Sequence, residues 1–272
     1  MEPPGRRPLL LLLVLLPLPV LVLALVGTLP QLAAANIGAA AQPSAPGAAV
    51  EQIEFLDGPA SKSGEAGDGG GGDAAGPYVI KTNAFWTEKN LSMSIRAEDG
   101  VSAETLAAAR EFVAGSSNIL NNTATTANAT RSTVSEWDLL LSEFSGSAPI
   151  LSLSAADSDG SANIRITLTA ADHPEGKLGK TRLFAIKGEG KILSAEITIY
   201  SAERMLGQGM LEYAVAHELG HALGLSHSTD PASIMYSVLE MEDGRVVNDI
   251  GPCETSGISS LYVESKIGIA EC

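Results

Sequence analysis

The sequence predicts an α+β fold, on the strength of two patterns that take turns along the chain. Apolar residues alternate strictly in short stretches near 91–95, 163–168 and 194–200. Between and around them, apolar residues recur at helical spacing over 102–114 and 134–144. Leu91, Met93 and Ile95 form the first strand. Ser102 and Glu104 open a helix through Ala114, rich in Ala and carrying Leu106, Phe112 and Val113. Trp137, Leu140, Leu141 and Phe144 share one face of a second helix over Val134–Phe144. Residues 115–132 between these helices are rich in Asn, Thr and Ser and read as an inserted loop or a broken helix. The aromatics here are expected in the core. Asn163–Leu168 alternates as another strand. Leu178–Ile186 and Ile192–Tyr200 form a strand pair around the turn Gly188-Glu189-Gly190. Ala195, Ile197 and Ile199 lie on one face of the second.

The N-terminal third has a different character. Arg6 and Arg7 precede an uncharged apolar run of 21 residues, Leu9–Leu29, and Ala33-Ala34-Ala35 offers a cleavage site. The run fits a secretory signal peptide, or an N-terminal membrane anchor just long enough to cross a bilayer. With the positive residues before the run, either reading exports the body of the protein. Residues 1–35 are assigned to this signal or anchor. Residues 36–77, dominated by Ala, Gly, Pro and Asp, are assigned to a flexible linker. One apolar island, Ile53-Glu54-Phe55-Leu56-Asp57, interrupts the linker as a candidate pro-segment contact. Residues 78–272 remain for a single domain with a core of ordinary size.

The formal net charge of −15 argues against nucleic-acid or anionic-membrane binding by the body, and a soluble extracellular monomer is expected. Membrane contact is left to the N-terminal segment, if it is retained. The two cysteines, Cys253 and Cys272, are expected to pair in an oxidising compartment. The alternative is two free or intermolecular thiols. Sequons at Asn90, Asn121 and Asn128 are candidate glycosylation sites.

Three of the four histidines fall in one window, His217-Glu218-Leu219-Gly220-His221-Ala222-Leu223-Gly224-Leu225-Ser226-His227. On a helix, His217 and His221 stand at i and i+4 and present their imidazoles on one face. Glu218 is rotated by about 100° from His217, so it borders a metal bound there rather than ligating it. Gly224 takes φ > 0 at low steric cost, stops the helix and swings the chain back to deliver His227. Three neutral imidazoles suit one catalytic Zn2+ with its fourth position open. Glu218 is placed as general base.

From His227 the chain continues Ser228-Thr229-Asp230-Pro231-Ala232-Ser233-Ile234-Met235-Tyr236. The whole stretch from His217 resembles the matrixin branch of the metzincin metalloproteases. Ser228, where related branches usually carry Glu or Asp, sharpens the likeness. The resemblance implies an α+β domain built on a twisted, mostly parallel sheet with one antiparallel edge strand, packed on long helices with the zinc helix central. It makes Met235 the Met-turn residue beneath the imidazoles and Gly257–Tyr262 a closing helix. It makes the strand before the zinc helix, with Ala195, the edge that pairs with an extended polypeptide substrate. Tyr213, four residues before the first histidine, falls where side-chain size sets the depth of the primary specificity pocket, and Tyr236 joins it as a substrate-binding residue.

The implied function is exported zinc-dependent endopeptidase. The competing reading is a zinc-binding but catalytically idle extracellular adhesion or scaffold protein. Only His173 lies outside the motif, so no second histidine-rich zinc site can be assembled; it is expected in a surface loop. Asp157-Ser158-Asp159-Gly160 and the acidic run Glu240, Glu242 and Asp243 are candidate Ca2+ ligands, with solvated loops as the plainer reading. No cysteine precedes position 253, so a thiolate cap on the metal from an upstream segment is excluded within this sequence. If the site is capped, a carboxylate such as Asp57 must do it.

Overall fold

The computed structural model describes residues 49–57, 77–118, 133–153, 161–238, 241–242, 245–246, 248–264 and 268–272. In chain order the elements are β1 (Val50–Asp57), β2 (Tyr78–Lys81), β3 (Asn90–Ala97), α1 (Ala103–Asn118), α2 (Thr133–Glu143), β4 (Ile150–Leu153), β5 (Ile164–Leu168), β6 (Gly179–Ile186) and β7 (Ile192–Ile199). They continue with α3 (Ala202–Gly207), α4 (Leu211–Ala222), β8 (Leu225–Ser228), β9 (Met241–Glu242), β10 (Arg245–Val246), α5 (Pro252–Tyr262) and β11 (Ile269–Glu271).

The alternating segments become the strands of one sheet, ordered β1-β6-β7-β5-β3-β4 among the described residues. β7, β5, β3 and β4 pair in parallel, and β6 runs antiparallel to β7. This is the mostly parallel sheet that the resemblance implied, but its antiparallel strand β6 is not at the edge, because β1 pairs along its outer side. Alternation divides each strand between two faces. Leu183, Ile197, Ile166 and Met93 point into the core, buried at 1% exposure or less. The other face carries a row of charges. Glu196 Oε1 accepts from Arg165 Nη2 at 2.9 Å, its Oε2 lies 2.7 Å from Arg182 Nη2, and Lys180 Nζ lies 2.8 Å from Glu54 Oε1. Half-exposed pairs of this kind contribute about 1 kcal/mol or less each.

The helices cover the apolar face. Ser102 caps α1 as its position suggested, its hydroxyl accepting the Thr105 N–H at 3.1 Å. Trp137 on α2 is fully buried and donates its indole N–H to the Ala216 carbonyl on α4 at 2.8 Å. A large aromatic body thus enters the core with its single polar group satisfied. α4 lies across β6 and β7 and against α2, the central place expected of the motif helix. His173 stays outside the core, packing edge-on against Tyr200 with ring centroids 4.9 Å apart.

Two arrangements differ from expectation. Residues 50–57, assigned by composition to a flexible linker, form β1, which pairs antiparallel with β6 from Val50↔Ile186 to Asp57↔Gly179. Ile53 and Phe55 pack against the core, and that contact overrides the polar, small-residue surroundings that suggested solvated chain. The strand before the zinc helix is also not the edge. β7 lies between β6 and β5, so β6 is the strand that meets β1. Alternation sorts a strand's residues between two faces but carries no information on which strand lies beside it.

A smaller sheet, β11-β2-β8, holds the chain after the zinc helix. Cys253 at the start of α5 and Cys272 just after β11 form a disulfide. The segments 1–35 and 58–76, the insert 119–132 and Asn121 and Asn128 lie outside the described residues, as do the side chains of the acidic runs 157–160 and 240–243. Asn90 is exposed at the start of β3. Among the described residues no helix is long and apolar enough to cross a membrane.

Candidate active site

The helix carrying His217, Glu218 and His221 ends where the sequence placed its stop. Gly224 has φ +100°, and a Cβ on it would collide with the Ala84 carbonyl oxygen. Its own carbonyl accepts the Thr82 N–H at 2.9 Å, fixing the reversal into β8. β8 then returns His227 to the two helix-borne rings, with centroids 5.0 Å from His221 and 5.7 Å from His217.

Backbone carbonyls set the orientation of the first two rings. His217 Nδ1 lies 2.5 Å from the Ile234 carbonyl, and His221 Nδ1 lies 2.8 Å from that of Leu225. A carbonyl can only accept, so both Nδ1 atoms carry the proton and both Nε2 atoms present lone pairs inward. Burial pulls the His221 imidazole down to about 4, which keeps it neutral. Orientation of a ligating imidazole through its second nitrogen is a recurring feature of metal sites.

The point where these nitrogens converge also holds Asp57. One ligand atom from each of Asp57, His217, His221 and His227 lies within 4.8 Å of the others, the one such group among the described residues. Asp57 Oδ2 is 3.0 Å from His221 Nε2, and Oδ1 contacts His227 Nε2. His217 Nε2 is 3.4 Å from Oδ1, within ion-pair range, yet it is buried and makes no hydrogen bond. A buried imidazole nitrogen without a hydrogen bond, facing two more imidazoles and a carboxylate, belongs to a donor set that a zinc ion would satisfy, and the residues present fit that metal. Burial pushes the Asp57 carboxyl up, but the three imidazoles around it outweigh burial and leave it below the usual range.

Glu218 stands beside this cluster, 1% exposed. Its Oε2 accepts the Thr181 hydroxyl at 2.5 Å, which fixes the direction of the carboxylate. Gly179, two residues earlier on β6, leaves the necessary room, because a Cβ there would collide with Glu218 Oε1. Burial first, and then the nearby Asp57 charge, raise the Glu218 carboxyl well above its ordinary range. Neither Thr181 nor Gly179 was singled out from the sequence. Their signal is a tertiary contact across 37 residues, which no local pattern carries.

The turn after β8 supports the helix from below. Met235 is fully buried, and its sulfur fills the space where a Cβ on Gly220 would stand. Met235 returns its carbonyl to the Ser228 N–H at 2.8 Å, and Ile234 N donates to the Asp249 carbonyl at 2.6 Å. The buried Glu254 accepts the Ser233 hydroxyl, and Asn248 Nδ2 donates to the Pro231 carbonyl at 2.9 Å. Glu254 and Asn248 were not anticipated either. They hold the turn that positions Ile234, and through it His217.

A cleft of about 290 Å³ opens beside the cluster, lined by Asp57, Leu178, Gly179, Ala214, His217, Glu218, Tyr236 and Ser237. Tyr236 is thus one of the residues on the cleft wall. Tyr213 is half-buried against the core, and its neighbour Ala214 is the residue on the cleft wall. Ala195 is corrected. It is buried within β7, paired with Leu183 on β6 and Ile164 on β5, so no substrate backbone can reach it as an edge.

Comparison with known proteins agrees with this geometry. A family model described as Matrixin matches residues 117–263. The chain is 43% identical over 65 residues to a probable matrix metalloproteinase 095L of Invertebrate iridescent virus 3, covering 24% of this chain and 16% of that protein. It is 33% identical over 116 residues to matrix metalloproteinase-20 of Homo sapiens, covering 40% of this chain and 23% of the relative. It is 45% identical over 49 residues to matrix metalloproteinase-16 of Rattus norvegicus, covering 17% of this chain and 7% of the relative. The aligned part thus spans less than a quarter of the length of these curated relatives. Because the family match takes in the zinc helix, the returning strand and the Met235 turn as one continuous span over more than half of the chain, this protein belongs to the matrixin family.

Proposed function

We propose that this protein is an exported zinc-dependent endopeptidase that cleaves extended polypeptides. The observation that carries the proposal is the convergence of the His217, His221 and His227 Nε2 atoms beside a buried carboxylate, Glu218, that stands outside this group and is held by Thr181. His217, His221 and His227 would hold the ion. When bound, zinc supplies a Lewis acid that polarises a carbonyl and lowers the pKa of water to about 7. Glu218 takes a proton from the attacking water and returns it to the departing amine. Thr181 keeps the Glu218 carboxylate aimed at the reacting atoms. Ile234 and Leu225 fix the ligand tautomers, and Met235 supplies an apolar floor under the rings. β6 offers its backbone to an extended peptide by strand addition, and Tyr236 and Ala214 flank the cleft that receives a side chain. In this reading export follows from the N-terminal apolar run, and the substrate-binding unit is a monomer.

Glu218→Gln tests the reading. The variant should retain zinc by elemental analysis and lose about 10²- to 10⁴-fold in turnover of a quenched fluorescent peptide. Undiminished turnover would remove Glu218 as general base, and activity that persists after zinc is chelated away would remove the metal.

A further inference from the structure

We infer that Val50–Asp57 is a tethered cap on the metal site: β1 occupies the edge of β6 that a peptide needs, and the Asp57 carboxylate stands as a fourth ligand opposite the three imidazoles. The inference rests on the zinc endopeptidase reading and specifies how that site is held closed.

Three independent features converge on it. The first is the carboxylate. Asp57 is 7% exposed, and its two oxygens face His221 Nε2 at 3.0 Å, His217 Nε2 at 3.4 Å and His227 Nε2. A buried carboxylate is costly unless a cation or a full set of donors meets it. Once the three Nε2 atoms serve as metal ligands they donate no hydrogen bond to it, and a divalent ion shared among all four groups would meet that requirement instead. Three histidines and a carboxylate would supply four protein ligands to a zinc ion, and a full protein ligand set distinguishes a resting zinc site from a working one.

The second feature is the ladder. β1 pairs with β6 over eight residues without a register break, and the Leu178 N–H donates to the Asp57 carbonyl at 2.7 Å. An added strand uses these same β6 groups, so a peptide and β1 exclude one another. The third is side-chain packing. The Phe55 ring stacks on His221 with centroids 4.2 Å apart and an interplanar angle of 5°. One ligand imidazole is thereby covered by the same strand that delivers the carboxylate. No thiol can substitute in this role, since both cysteines of the chain are joined to each other.

The test uses the zinc-loaded full chain and its Asp57→Ala variant, with a dansylated peptide hydroxamate as probe, read by fluorescence rather than by turnover. A tethered group acts at an effective concentration near the millimolar range, so its removal should tighten hydroxamate binding by roughly tenfold or more. A synthetic peptide of sequence Val50–Asp57 should reverse part of that gain. Hydrogen exchange at the β6 amides should rise in the variant. Asp57→Asn, which keeps the side chain's shape, should shift binding in the same direction. Equal hydroxamate affinity in wild type and Asp57→Ala, with peptide cleavage by both, overturns the cap and leaves the endopeptidase reading intact. Tighter binding in the variant without any peptide cleavage leaves the cap and removes the endopeptidase reading. A chain that takes up no zinc removes both.

Discussion

Gly220 shows how narrowly individual residues are specified around the three-histidine cluster. It stands one residue before His221 on α4, and both Met235 Sδ and the Trp137 ring occupy the space of a side chain there. Gly220→Ala should cost about 1–3 kcal/mol of stability through overpacking. Thermal unfolding would measure this, and a variant as stable as the parent would show that Met235 can move aside. The motif residues were legible because their relationship is local. His217, Glu218, His221, Gly224 and His227 lie within eleven positions, so helix geometry and one positive-φ glycine determine their arrangement. Asp57 illustrates the opposite case. It meets His221 across 164 residues, and its chemistry suited it as a cap, but only strand register could show that it reaches the site. Gly179 beside Glu218 is similar: an unremarkable residue in sequence whose missing side chain makes room for a carboxylate.

Among the elements, strands and helices with a single buried face were the most readable. β3, β5, β6 and β7 follow their alternation, and α1 and α2 follow their helical spacing within a few residues of the expected ends. The short strands β2, β4 and β11 carry too few residues for a periodic signal, and they exist because partners are supplied across the sheets. β1 was misassigned because its neighbours on both sides are rich in Gly and Ala, although Ile53 and Phe55 do alternate. The disulfide belongs to this scale too. It fastens the start of α5 to the end of β11 across a separation of 19 residues, and closing a loop of that length contributes about 3 kcal/mol. Replacing both cysteines with serine should lower the unfolding free energy by about that amount in denaturant titrations. Exchange at β11 should rise before exchange at β3. Unchanged stability would mean that β11 is held by its pairing with β2 alone.

For the molecule as a whole, pH dependence follows from a group remote from the chemistry. Asp138 on α2 is 8% exposed, and among the described residues neither of its carboxylate oxygens has a hydrogen-bond partner. Burial pushes its carboxyl from the usual 3.8 up to about 7. The protonated form therefore favours the fold. Its contribution is fully present below the unfolded value, declines as pH rises towards the folded value, and is lost above it. Asp138→Asn should flatten the fall in melting temperature between about pH 4 and pH 8. A variant with the same pH slope as the parent would assign that dependence to other groups. The net charge of −15 acts on a larger scale and keeps molecules apart in solution.

That separation has a limit set by β1. While it is in place, the outermost strand beside β6 carries Glu51 and Glu54, charges that discourage another strand from joining. Once it leaves, one side of an eight-residue strand with an apolar inner face loses its hydrogen-bonding partner. Such an edge accepts any extended chain, including the same edge of a second molecule. The form without β1 in place is thus the form most inclined to self-associate. A strand that acts as the proposed cap would therefore also serve as a solubility guard, and its loss would set a clock on the soluble lifetime of the uncapped protein.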